Sequence, residues 1–158
     1  MRTKAKFEKV SLETFLQSGS QQTYDNIVLP KRATTKSAGY DFFTPTDINL
    51  EPNQTITVAT GVRALMPDDW CLMIFPRSGF GFKYRLRLDN TVGIIDADYS
   101  DAPNEGHIFV KLTNEGQKTL HIAQGTAFAQ GIFTHYLLTE DDDVTAERTG
   151  GLGSTDKK

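Results

Sequence analysis

Apolar residues in this chain recur at every second position. Thr55-Ile56-Thr57-Val58-Ala59-Thr60 alternates polar with apolar side chains, and His107 to Thr113 does the same through Ile108, Val110 and Leu112. Neighbouring side chains of a strand point to opposite faces, so each segment has one face for a core and one for water. Runs rich in β-branched and aromatic residues extend the pattern: Tyr24–Leu29, Tyr40–Phe43, Val62–Met66, Trp70–Phe75, Lys118–Ile122 and Thr126–Tyr136. Turn formers separate them at Pro45, Glu51-Pro52-Asn53, Pro67-Asp68-Asp69, Asn114-Glu115-Gly116 and Gln124-Gly125. The expectation is an all-β, jelly-roll-like antiparallel sandwich. Val10 to Gln17 departs from it and predicts a short N-terminal helix, capped by Ser11 and stopped by Gly19.

At 158 residues the chain suits a single domain over 1–158, with an N-terminal extension to about residue 20 and a mobile C-terminal arm from about residue 140. A net charge of −3 argues against a broad basic surface for nucleic acid, although a small phosphate pocket needs only a few donors. With Cys71 alone, neither an intrachain disulfide nor a cysteine-based zinc site can form. His107, His121 and His135 lack metal-ligand spacing. Residues 1–10 alternate basic and apolar without the apolar centre of a leader, and no run approaches the about 18 apolar residues of a membrane span. The expected location is the cytoplasm, the host's if the gene is viral.

Three segments break the strand pattern. Pro76-Arg77-Ser78-Gly79-Phe80-Gly81 follows an apolar strand and offers a guanidinium fork, a hydroxyl and open N–H groups, donors that suit a phosphate. An ordinary glycine turn with a surface arginine fits it equally. Asp89 to Tyr99 contains Asn90 and Gly93, which suit a hairpin. It also contains Asp96, which the preceding Ile94-Ile95 would place at the end of a buried strand, where a carboxylate is costly. Caps and a core aromatic would account for Asp96, Asp98 and Tyr99 as well. Arg148-Thr149-Gly150-Gly151-Leu152-Gly153-Ser154-Thr155 reads by itself as a flexible tail.

Together these segments resemble the five ordered motifs of the trimeric dUTPase family. Ala38-Gly39-Tyr40-Asp41 resembles the first, Pro76-Arg77-Ser78-Gly79 the second, and Asn90 with Gly93-Ile94-Ile95-Asp96-Ala97-Asp98-Tyr99 the third. Gly125-Thr126-Ala127-Phe128-Ala129-Gln130 resembles the fourth and Arg148 to Thr155 the fifth. The resemblance implies the dUTPase fold, a homotrimer with shared active sites, and hydrolysis of dUTP to dUMP and pyrophosphate, which keeps uracil out of DNA and supplies dUMP. It makes Asp96 the general base for the attacking water and Ser78 the support for the oxygen between the α- and β-phosphates, and counts Asp41 with the catalytic set. It places Arg77, Gln130 and Arg148 on the phosphates and Asn90, Gly93, Ile94 and Ile95 on the uracil, and counts Gly79 with the substrate-binding residues. Tyr99 would lie against the deoxyribose. Leu152, Gly153, Ser154 and Thr155 would belong to an arm closing from a neighbouring subunit. Mg²⁺ is the implied cofactor, held by substrate phosphates and waters rather than a protein cage, with Asp41 at most an indirect contributor.

The chain departs from the family pattern in several places. Leu152 replaces a usual phenylalanine, Ala127 a usual arginine, and Arg85 and Asp89 usual glycines. Asp101-Ala102-Pro103-Asn104-Glu105 is an insertion that reads as a surface loop, a contact for a regulatory protein partner if the chain is phage-encoded. Two rival functions share this fold. A dCTP deaminase would need its own acidic base and a weaker tyrosine motif, and a binding module would grip a regulatory protein without turnover.

Overall fold

The computed structural model describes residues 2–152. The chain opens with strand β1 (Lys6–Lys9) and helices α1 (Leu12–Phe15) and α2 (Gln21–Asp25). Strands β2 (Lys31–Arg32), β3 (Tyr40–Phe43), β4 (Ile48–Leu50), β5 (Thr55–Ala59), β6 (Val62–Leu65) and β7 (Trp70–Pro76) follow. Helix α3 (Ser78–Tyr84) leads into β8 (Leu86–Leu88) and β9 (Gly93–Asp96), and a 3-10 turn covers Ala97–Asp101. Strands β10 (Phe109–Asn114), β11 (Leu120–Ile122) and β12 (Ala127–His135) complete the set.

A five-stranded sheet has the order β2-β3-β12-β7-β9, and a three-stranded sheet the order β5-β10-β8. Two ribbons, β1-β6 and β11-β4, complete the architecture. Each pairing is antiparallel, as the alternating segments require. The inward faces meet in one core. Phe42, Leu72, Ile74 and Phe128 enter it from the large sheet, and Val58, Leu86, Val110 and Leu112 from the small one. No helix among the described residues is long and apolar enough to cross a membrane.

Ser11 caps α1 as expected, its Oγ accepting from the Thr14 N–H at 3.2 Å. The expected strand Tyr24–Leu29 is instead the end of α2 followed by extended chain. Ser20 accepts from the Thr23 N–H at 3.2 Å and starts that helix, while the Tyr24 hydroxyl donates to the Val10 carbonyl at 2.8 Å. A cap and one tertiary bond override the strand preference of the aromatic.

Two local geometries near the motifs also differ from expectation. Ser78 to Tyr84 forms a helix rather than a glycine turn, and Arg85 ends it in the left-handed region at φ +54°. The segment Asn90 to Ile95 is not a paired hairpin. β8 pairs with β10 while β9 pairs with β7, so the connection passes from one sheet to the other, with Thr91 at φ +67°.

Candidate active site in two halves

One half forms where β3, β12 and β7 lie side by side. Gln130 of β12 is opposite Asp41 of β3 on one flank and Phe75 of β7 on the other. Asp41 is buried and forms an ion pair with Arg77, which is two-fifths exposed, just past the end of β7. The Gln130 Nε2 donates to the Pro76 carbonyl at 3.3 Å, which holds the strand end against β12. Gly39 packs beside it: a Cβ there would stand 2.5 Å from the Gln130 Oε1, so the amide end of that side chain would have to shift. Ser78 and Gly79, both exposed, follow at the start of α3. Arg77, Gly79, Lys83, Thr126 and Ala127 border an open cleft of about 390 Å³. Ala127 leaves this cleft without the cation that the family pattern would put there.

The second half gathers around β9 and the 3-10 turn. The carboxylate of Asp96 is half exposed rather than buried, because it ends β9 at the sheet margin. Arg148 spans two carboxylates, its Nη2 donating to Asp96 Oδ2 at 2.6 Å and its Nε to Asp98 Oδ1 at 2.7 Å. Its guanidinium lies 5.6 Å from the centre of the Tyr99 ring. The bond to Asp98, helped by the charges of Asp98 and Asp96, holds Arg148 still further on its charged side despite burial. Tyr99 is buried, and that burial raises its phenol above the usual range, opposed by hydrogen bonding from Asn104 and the charge of Arg148. A cleft of about 320 Å³ opens beside these residues, bordered by Asn90, Gly93, Ile94, Ile95, Ile74 and Leu152.

The strand register keeps the halves apart. Asp96 is opposite Cys71 at the start of β7, whereas Arg77 and Ser78 follow Pro76 at its far end. The five steps from Cys71 to Pro76 span about 17 Å at a strand's rise per residue. The two further residues to Ser78 could return at most about 7 Å. The backbones at Asp96 and Ser78 of one chain are therefore at least about 10 Å apart, towards opposite ends of β7.

A sequence profile of the dUTPase family matches residues 25–156. The chain belongs to the dUTPase family. A deoxyuridine 5′-triphosphate nucleotidohydrolase of Lactococcus lactis is 38 % identical over 132 residues, which cover 82 % of this chain and 88 % of that protein. The namesake of Acinetobacter baylyi is 36 % identical over 138 residues, 82 % of this chain and 89 % of its own. The crystal structure of dUTPase from Streptococcus mutans superposes with a TM-score of 0.69 at 35 % identity, covering 85 % of this chain and 98 % of that one. The dUTPase of Staphylococcus bacteriophage 80alpha shares the fold at 19 % identity, with a TM-score of 0.68 and coverage of 94 % and 92 %.

Within this dUTPase fold the expected site residues fall into two groups. Asp41, Arg77, Ser78, Gly79 and Gln130 make the first, and Asn90, Gly93, Ile94, Ile95, Asp96, Tyr99, Arg148 and Leu152 the second. Arg148, expected on phosphate, pairs with both Asp96 and Asp98. Gly153, Ser154 and Thr155 lie outside the described residues. The insertion lies at the surface as its composition predicts, with Asp101 and Pro103 exposed, but it is anchored to the fold. Ala102 is buried, and Asn104 and Glu105 reach inward to Tyr99 and to the N-terminal segment. Asp98 and Asn104 were not singled out for this site, and only the fold reveals them: each depends on a partner distant in sequence or on an unusual turn.

Proposed function

We propose that this chain hydrolyses dUTP to dUMP and pyrophosphate as a homotrimer whose active sites are completed between subunits. The observation that carries the reading is the separation along β7 of two residue sets that this chemistry needs at one α-phosphate. Closing a ring of copies brings the strand-end half of one subunit to the Asp96 half of the next. The phosphates then lie against Arg77 and Gln130, with Asp41 fixing the guanidinium of Arg77. Asn90 and the backbone of Gly93 to Ile95 pair with the uracil edge, and the buried ring of Tyr99 lies under the deoxyribose where a 2′-hydroxyl would collide.

Asp96 orients a water and takes its proton as the oxygen attacks the α-phosphorus, a general-base role worth about 10²–10⁴ in rate. The Ser78 hydroxyl donates to the oxygen that leaves with pyrophosphate, where negative charge builds. Arg148 releases Asp96 when the more highly charged phosphates arrive, so that closing the arm from about residue 140 also frees the base. The carboxylates of Asp41, Asp96 and Asp98 are each engaged by an arginine, a donor set that fits Mg²⁺ carried by substrate phosphates and waters. Mg²⁺ bound in that way offsets charge on the departing pyrophosphate.

The test is pyrophosphate release with Mg²⁺ from dUTP, dCTP, dTTP and UTP, with Asp96→Asn as control. Turnover confined to dUTP and lost in the variant is expected. Ammonia release from dCTP would transfer the chain to deamination, and silence on all four nucleotides would leave a fold kept for binding.

A further inference from the structure

Asn104 belongs to the five-residue insertion, yet its side chain ends on Tyr99. The Asn104 Nδ2 donates to the Tyr99 hydroxyl at 2.9 Å, and that hydroxyl donates to the His107 carbonyl at 2.8 Å. A phenol has one hydrogen to give and can accept in return, so these bonds fix the far end of the ring from two directions.

The loop that carries Asn104 is itself held rigidly. Its Oδ1 accepts from the Gly106 N–H at 3.2 Å, and the Glu105 N–H donates to the Ala102 carbonyl at 2.8 Å. Glu105 and Gly106 both turn through the left-handed region, at φ +58° and +73°. A Cβ on Gly106 would stand 2.8 Å from the Tyr99 carbonyl oxygen, so the loop presses directly against that residue's backbone. The Glu105 Oε2 accepts from the Ser11 N–H at 2.6 Å and ties the loop to α1. The other side of the Asn104 amide faces the arm, where a Cβ on Gly151 would meet its atoms at 3.2 to 3.4 Å.

We propose that Asn104 is a positioning residue that fixes the Tyr99 ring and so sets discrimination against ribonucleoside triphosphates. This rests on the reading of Tyr99 as the residue beneath the sugar. A ring held at both hydroxyl bonds cannot tilt to admit a 2′-hydroxyl, whereas a ring held at one can.

The experiment measures kcat/KM for dUTP and UTP in the wild-type trimer, Tyr99→Ala, Tyr99→Phe, Asn104→Ala and the Tyr99→Phe/Asn104→Ala double variant. Asn104→Ala is expected to lower the dUTP:UTP ratio about five- to tenfold, the size of one lost neutral hydrogen bond. In the Tyr99→Phe background, which has no hydroxyl to hold, the same change should move the ratio by less than about twofold. A purely structural role would lower stability in both backgrounds and move the ratio equally in both. Asn104→Asp covers a folding failure, since it keeps an acceptor for the Gly106 N–H. It removes the donor to Tyr99, whose single hydrogen cannot serve two acceptors, and the ratio should again fall. An unchanged ratio in Asn104→Ala, or the same change in both backgrounds, overturns the proposal. If Tyr99→Ala leaves discrimination intact, the reading of Tyr99 itself fails; if Tyr99→Ala destroys discrimination and Asn104→Ala spares it, only the role of Asn104 is lost.

Discussion

Mixing two inactive variants should restore activity if each active site draws its halves from different subunits. Asp96→Asn removes the proposed general base from one half, and Ser78→Ala removes the proposed leaving-group donor from the other. The two positions are separated by most of β7, because Asp96 is opposite Cys71 and Ser78 follows Pro76. Suppose the variants are unfolded together in equal amounts and refolded into trimers at random. A site is intact when one contributing subunit has Asp96 and the other has Ser78, each with even odds, so about one quarter of the sites recover. Sites built within one chain recover nothing, since every chain carries one lesion.

The assay is pyrophosphate release from dUTP, with mixed assembly verified by native mass spectrometry on subunits of different mass. Arg77→Ala mixed with Ser78→Ala is the control. Both lesions lie in the same half, so every site keeps at least one of them and activity stays absent. Verified mixed trimers that remain inactive for the Asp96→Asn and Ser78→Ala pair would refute the shared site. They would also require a rearrangement that joins the two ends of β7 within one chain.

Arg85→Gly should stabilise the fold by about 1 kcal/mol in urea unfolding, because Arg85 holds a left-handed φ of +54° at the end of α3 and its contact with Glu115 is exposed and 4.0 Å long. Unchanged or lower stability would show that the side chain does more there than its geometry reveals. Leu152→Phe should lower KM for dUTP about two- to tenfold, since Leu152 borders the cleft of Asn90 to Ile95 and an aromatic could stack on the base; an unchanged or higher KM would remove the arm from base contact. His107 makes a prediction about pH. It is buried with its Nε2 accepting from the Gly61 N–H at 2.9 Å, and burial pulls it from 6.5 to about 4, only partly opposed by Glu105. The unfolded chain therefore takes up a proton below pH 6.5 that the folded chain refuses until about pH 4, so stability falls through that window as pH drops. Between pH 7 and pH 5 the loss is about 2 kcal/mol. His107→Gln keeps an acceptor for Gly61 and does not titrate, so unfolding at the two pH values should show a smaller loss than in the wild type; an equal loss would place the titration elsewhere.

The sequence reveals the strands with the longest alternation because burial of one face leaves a regular record in residue type. β4 and β8 have three residues each, too few to establish a period. α3 is concealed by Gly79 and Gly81, each worth about 1 kcal/mol against a helix relative to alanine, and Tyr24 by a cap and a hydroxyl bond made elsewhere. The chemistry is legible in the same uneven way. Motifs identify Asp96, Ser78 and Tyr99 as residue types in order, but order along a chain carries no distance, and the separation of Asp96 from Ser78 along β7 is visible only in the fold. The pairing of Arg148 with Asp96 joins residues 52 positions apart, with no periodicity to announce it. Asn104 reaches Tyr99 from a loop in which Glu105, which is not glycine, takes a left-handed turn that no sequence rule assigns to it. β7, paired on both sides in the large sheet, thus also separates the two residue groups. β7 must span the sheet to bury Leu72 and Ile74, and in doing so it carries Ser78 away from Asp96. Shortening β7 to close the gap would remove part of the core, so under the shared-site proposal a second copy of the chain completes the site while the fold stays intact.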